Sequence, residues 1–178
     1  MDRFISSKAG QINGLYGDVA WTPLRYVNRT YSRSALAGFY RAAKVAMVTP
    51  LRDGMNLVAK EFVAAQDPED PGVLVLSQFA GAASELSGGA LMVNPHESEG
   101  MAAALKRALE MPLEERKERY ARMMPVLLRY DIDHWAKSFL AALTPPARTA
   151  EVVSLRRSAL KGIGVSLGWP SLHRHQGA

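Results

Sequence analysis

The chain has 178 residues, 48% of them hydrophobic and 22% charged, which is enough apolar material for one domain with its own core; the absence of cysteine excludes a disulfide framework and a thiolate metal site. The formal charge is +5, but five Arg and Lys residues lie beyond Ala147 against Glu151 alone, so the excess belongs to a tail rather than to a nucleic-acid-binding face. No run approaches the ~20 apolar residues that span a bilayer, and the first eight residues lack the apolar segment of an export signal, so a cytoplasmic protein is expected.

Residues 7–14 read as a polar helix or turn, and residues 21–28, rich in aromatic and branched side chains with Pro23 at the entrance, predict a short strand. Residues 32–44 carry Leu36, Phe39, Tyr40 and Ala43 at helical spacing, followed by Val45-Ala46-Met47-Val48, a continuous apolar run of the sort a strand buried on both faces shows. The unit recurs as a helix over about 55–66, an apolar run at 72–77, a short helix at 82–86 and a further run at 90–94. Residues 97–111 form an amphipathic helix through Met101, Ala104, Leu105 and Ala108; residues 113–143 read as one or two more helices, breaking near Asp131-Ile132-Asp133 and closing the domain. Apolar runs separated by helices predict an α/β fold, a partial Rossmann-like parallel sheet with helices on both faces. Pro145-Pro146 ends the last helix, and the basic stretch after it lacks periodicity, so the domain is placed at 8–145 and a disordered tail at 146–178.

The stretch Thr49-Pro50-Leu51-Arg52-Asp53-Gly54-Met55-Asn56-Leu57-Val58-Ala59-Lys60-Glu61 follows a buried strand directly and opens a helix, the place where ligands collect in open α/β sheets. Gly54 would let the backbone turn tightly, and the first N–H groups of the helix, around Met55 to Val58, would offer a phosphate or diphosphate cradle at the positive end of the helix dipole. Val58, Phe62 and Ala65 would pack on the sheet, while Leu57 and Glu61 share another face about 6 Å apart along the axis, at 1.5 Å per residue. A carboxylate there accepts two hydroxyl hydrogen bonds well. Asp53-Gly54 is equally a common turn, and Asp near a helix start an ordinary cap, so the chemistry of the stretch leaves both readings open.

Residues 52–66 (RDGMNLVAKEFVAAQ), residues 72–82 (GVLVLSQFAGA) and Val93-Asn94-Pro95 resemble the trehalose-6-phosphate synthases, a family of retaining glycosyltransferases. Ala9-Gly10-Gln11-Ile12-Asn13-Gly14, Trp21-Thr22-Pro23 and Val48-Thr49-Pro50 extend the likeness to about residues 8–143. The resemblance implies two Rossmann-like domains facing across a cleft, the C-terminal one holding UDP-glucose and the N-terminal one glucose 6-phosphate. Glucose would pass to the acceptor with retention, through an oxocarbenium-like state and front-face departure of UDP, without a metal or other cofactor. By position, Asp53 would bind hydroxyls of the donor glucose. The backbone of Gly54, Met55, Asn56 and Leu57 would lie near sugar and diphosphate, with Leu57, Val58, Ala59, Lys60 and Glu61 completing the donor segment. Glu61 would hold the ribose, and Tyr31 would lie against the uracil.

The resemblance also implies that the Arg and Lys of the family's diphosphate clamp lie upstream of this chain, and that Arg52 is not that clamp. The chain is accordingly expected to be an N-terminally truncated, C-terminal part, inactive alone and marginally stable because the missing segment would pair with the strand at 24–28. A non-catalytic UDP-glucose-binding or regulatory module is the alternative, UDP and GDP are not distinguished, and family members are often homo-oligomers. No nucleic-acid or membrane partner is expected. His134 reads as packing or capping, His173 and His175 as a poor metal site, and Arg156, Arg157 and Lys161 as a solvated tail.

Overall fold

The computed structural model describes residues 2–143, so the expectations for 144–178, the disordered basic tail and its histidines and arginines among them, lie outside the described residues. Along the chain run α1 (Asp2–Tyr16), α2 (Arg33–Ala42), β1 (Val45–Val48), α3 (Leu57–Ala65), β2 (Val73–Ser77), α4 (Ala83–Leu86), β3 (Leu91–Val93), α5 (Ser98–Glu110), α6 (Leu113–Arg129) and α7 (Ile132–Leu143). The described residues divide into two units between Arg129 and Tyr130. In the second, Asp131 Oδ1 accepts the His134 N–H at 2.8 Å, Tyr130 meets His134 edge to face, and Trp135 stacks on Phe139.

In the first unit the strands form a parallel sheet in the order β1-β2-β3, with Val45 opposite Val73 and Val75 opposite Leu91. Alternation along the fully buried β2 sends its side chains into two cores. Leu74 and Leu76 pack with Phe62 and Val63 of α3, Leu86 of α4 and Met123 of α6. Val73 and Val75 pack with Leu91 and Val93 of β3 and Ala108 of α5. Helices thus cover both faces of a parallel sheet, as the alternation of apolar runs and helices predicts. Among the described residues, no helix is long and apolar enough to cross a membrane.

Three expected features take a different form in the structure. Residues 21–28 form no strand: the Asn13 side chain donates to Leu24 O at 2.9 Å and accepts from Leu24 N at 2.8 Å, taking the backbone groups that a ladder needs. β1 is not buried on both faces, because it lies at the edge of this sheet and Met47 remains exposed. On α3 the buried positions are Ala59, Phe62 and Val63, joined by Gln66 at the cap, whereas Val58 is 45% exposed. The helix is rotated by about one residue from the expected phase, which puts 59, 62, 63 and 66 on the i, i+3, i+4, i+7 stripe.

Gln66 is the polar pin of this arrangement. Its buried amide donates to Tyr40 O (2.6 Å) and Phe62 O (3.1 Å) and accepts from Gly72 N (2.7 Å), so the end of α2, the end of α3 and the entry to β2 meet on one side chain. Both polar atoms of the Gln66 side chain are thereby satisfied in a place almost without solvent.

Candidate functional site

The loops at the carboxyl ends of β1 and β2 are joined to each other. Asp53 N–H donates to Phe79 O (3.2 Å), Gly81 N–H to Asp53 O (2.9 Å) and Ala82 N–H to Met55 O (2.6 Å), with Asp53 and Ala80 in an isolated parallel bridge. This approach requires glycine at 81, since a Cβ there would collide with the Gly54 carbonyl oxygen and stand 2.6 Å from its carbon. Gly54 itself has open space for a side chain and no positive φ. The left-handed residue is Asn56, at φ 73°, so the turn expected at Gly54 is made two residues later.

Asn56 tolerates that conformation because its short polar side chain bonds locally. Its Oδ1 caps α3 by accepting from Ala59 N (2.9 Å), and its Nδ2 donates to Asp53 Oδ2 (2.9 Å), while Asp53 Oδ1 accepts from Met55 N (3.2 Å). Asp53 is therefore half-buried and oriented by two protein donors rather than capping the helix. The remaining first-turn N–H groups, those of Leu57 and Val58, have no partner inside the helix and stand at its positive end. Leu57 and Val58 are exposed, as are Gly54 and Met55. Ala59 points into the core, and Lys60 Nζ is held at 2.8 Å by both oxygens of Glu85.

Glu61 lies one turn beyond Leu57 on the same exposed face. It lines a groove of about 310 Å³ between α2 and α3, together with Arg33, Leu36, Ala37, Tyr40, Ala64 and Ala65. Tyr40 Oη donates to Glu61 Oε2 at 3.4 Å, and burial first, then the Glu61 charge and this hydrogen bond, raise the Tyr40 hydroxyl above its ordinary value of 10.0. Tyr31 precedes α2 and contacts Phe39 edge to face at 5.2 Å, with the Arg29 guanidinium 5.0 Å from its ring centre and Arg29 Nε donating to its hydroxyl at 3.0 Å. Residues 53–61 are thus one continuous segment at the start of α3, whereas Tyr31 contacts Phe39 and Arg29 and is not among the residues that line the groove.

The groove wall of Leu36 and Tyr40 escaped the sequence reading as a ligand surface. Their i, i+4 spacing on α2 is the signal that carries it, although the same spacing reads as plain core packing.

A family model, glycosyltransferase family 20, matches residues 1–145. A trehalose-6-phosphate synthase of Sinorhizobium fredii is 60% identical over 144 residues, covering 81% of this chain and 31% of the relative. One of an Enterobacter species is 59% identical over 139 residues, covering 78% of this chain and 29% of the relative. Among solved structures, the UDP-forming α,α-trehalose-phosphate synthase of Burkholderia xenovorans in complex with glucose-6-phosphate is 54% identical at a TM-score of 0.77, over 80% of this chain and 31% of that one. An Escherichia coli protein bound with UDP-2-fluoro glucose is 56% identical at 0.76, over 78% of this chain and 31% of that one. The chain spans about 30% of the length of these relatives. With a family model over most of its length and synthases more than half identical to it, the chain belongs to glycosyltransferase family 20.

Proposed function

We propose that residues 8–145 are the nucleotide-sugar-binding domain of a UDP-forming trehalose-phosphate synthase, which transfers glucose from UDP-glucose to glucose 6-phosphate. Asp53 takes hydroxyls of the donor sugar and the exposed amides after Gly54, through Met55, Asn56, Leu57 and Val58, face its diphosphate. Glu61 takes the ribose and Tyr31 lies on the base side, while Ala59 and Lys60 hold the segment in place from the core and from Glu85. The observation that carries this reading is the placement of Glu61 in the groove between α2 and α3, one turn along α3 from its exposed first residues, so that a diol and a diphosphate can be met by one helix. The relatives solved with UDP-2-fluoro glucose and with glucose-6-phosphate support the choice of ligands.

A departing diphosphate also calls for cations, and an acceptor for a pocket of its own. Lys60, the only lysine of the segment, is committed to Glu85, which favours the second reading: a module that binds UDP-glucose and leaves transfer to further protein. Charged metabolites as ligands support a cytoplasmic setting, without nucleic-acid or membrane partners, and assembly into homo-oligomers is part of the proposal by family membership.

Calorimetric titration of the 178-residue chain with UDP-glucose and with UDP, beside Glu61→Ala, tests the site. Saturable binding that falls about tenfold or more in the variant, the size expected for lost hydrogen bonds to a charged group, is the expected result. A folded sample that takes up neither ligand at millimolar concentration overturns it. Assay of the binding-competent chain with glucose 6-phosphate then separates the synthase from the binding module.

A further inference from the structure

Glu61 is exposed and long, and a glutamate of that kind samples several rotamers, which a ligand must freeze on binding. Its neighbour across the groove is fixed. Tyr40 packs against the core cluster around Phe62 and Leu74, and its backbone carbonyl is pinned at 2.6 Å by the buried Gln66 amide. The phenolic ring therefore leaves the body of the fold at a set place and meets one oxygen of Glu61, Oε2, at 3.4 Å, leaving Oε1 for other donors. Tyr40 and Glu61 line the same cavity, 21 residues apart in the chain.

We propose that Tyr40 is a positioning residue for Glu61, its hydroxyl holding one carboxylate oxygen so that the other accepts the vicinal hydroxyls of a ribonucleoside. The inference rests on the nucleotide reading above and names the ligand feature that the pair selects, a 2′,3′-diol. A tyrosine hydroxyl is suited to this because it donates to the carboxylate without a charge of its own, so the carboxylate remains a strong acceptor. The 3.4 Å separation leaves room for the contact to tighten as the diol draws the carboxylate into line. Arg33 of α2 is the one cation among the residues that line the groove, and Arg41 is paired with Asp67 at 2.7 Å.

The test compares UDP with 2′-deoxy-UDP by calorimetric titration of the full chain in four forms: unsubstituted, Tyr40→Phe, Glu61→Gln and the double variant. Tyr40→Phe keeps the ring and its packing. The expected result is a preference for UDP in the unsubstituted chain, a loss of about three- to tenfold in UDP affinity in Tyr40→Phe, a smaller loss for 2′-deoxy-UDP, and no further loss when Tyr40→Phe is added to Glu61→Gln. Equal UDP affinity in Tyr40→Phe, or a loss that persists undiminished in the Glu61→Gln background, overturns the inference while leaving the nucleotide reading intact. Failure of the unsubstituted chain to bind UDP overturns both. A ligand-free readout separates coupling from packing: the Tyr40 ring-carbon NMR signal, assigned by its loss in Tyr40→Phe, should titrate at lower pH in Glu61→Gln than in the unsubstituted chain. An unmoved titration counts against the contact itself.

Discussion

Lys60 Nζ lies 2.8 Å from both carboxylate oxygens of Glu85, joining α3 to α4 across a pair whose side chains are only 19% and 29% exposed. Removing one partner leaves the other charged in a partly dry place. Lys60→Met is therefore expected to lower stability by about 1–2 kcal/mol, more than an exposed pair gives and less than a fully buried one. Adding Glu85→Leu should restore part of the loss. Urea denaturation of the two single variants and the double variant checks this, and simple additivity would show that the pair is not coupled.

Asn56 is the only residue other than glycine with positive φ among the described residues, and it also caps α3. Replacement by alanine removes the cap and places a Cβ residue without local bonding in the left-handed region, at a combined loss of about 2–3 kcal/mol. Asn56→Gly keeps the conformation accessible and should be the milder change. The order of the two melting temperatures decides the point, and alanine equal to glycine would mean that the left-handed geometry carries no strain.

Gly81→Ala brings a methyl group against the Gly54 carbonyl and within 3.0 Å of Met55 Cα, so the loops after β1 and β2 must separate. Backbone offers little compliance, and a loss of roughly 2–4 kcal/mol is expected from such overpacking. Nucleotide affinity should fall with it. Gly54→Ala, with open space around it, is the matched control and should change stability by less than about 1 kcal/mol.

Glu115 accepts from Arg119 Nε at 2.9 Å and Nη2 at 2.8 Å, and from Arg107 Nη2 at 3.2 Å. Hydrogen bonding by Arg119, assisted by the charges of Arg119 and Arg107 and opposed by desolvation, holds its carboxyl below the ordinary 4.5. A carboxyl lowered on folding stabilises the fold fully above the unfolded value and ceases to do so as pH falls through the folded one. Thermal melting from neutral pH to below 4.5 should accordingly fall less steeply for Glu115→Gln than for the unsubstituted chain. Parallel curves would assign the acid sensitivity elsewhere.

The sequence carries β2 plainly, because Val73-Leu74-Val75-Leu76 is apolar at every position and the strand is buried on both faces. Val45-Ala46-Met47-Val48 looks the same locally yet forms the edge of the sheet, a property of its neighbours rather than of its composition. Leu24 to Asn28 has strand-like residues, but pairing is decided at a distance and the Asn13 amide intervenes. On α3 the abundance of apolar residues, Leu57, Val58, Ala59, Phe62, Val63, Ala64 and Ala65, supports two phases almost equally, and only packing selects 59, 62 and 63. The candidate site divides likewise: Asp53 and Glu61 are legible from their place after a strand and on a helix, whereas Tyr40 joins them from another helix, where no local pattern links it to Glu61.

The bonds from Gly81 N–H to Asp53 O and from Ala82 N–H to Met55 O tie two amide hydrogens into the junction between the loops that follow β1 and β2. In deuterium exchange such hydrogens leave only when the two loops come apart, so their rate measures the opening of the segment before any ligand is present. A donor that binds Asp53 and the first turn of α3 as proposed would slow both amides, giving a readout of occupancy from hydrogens already bonded within the protein.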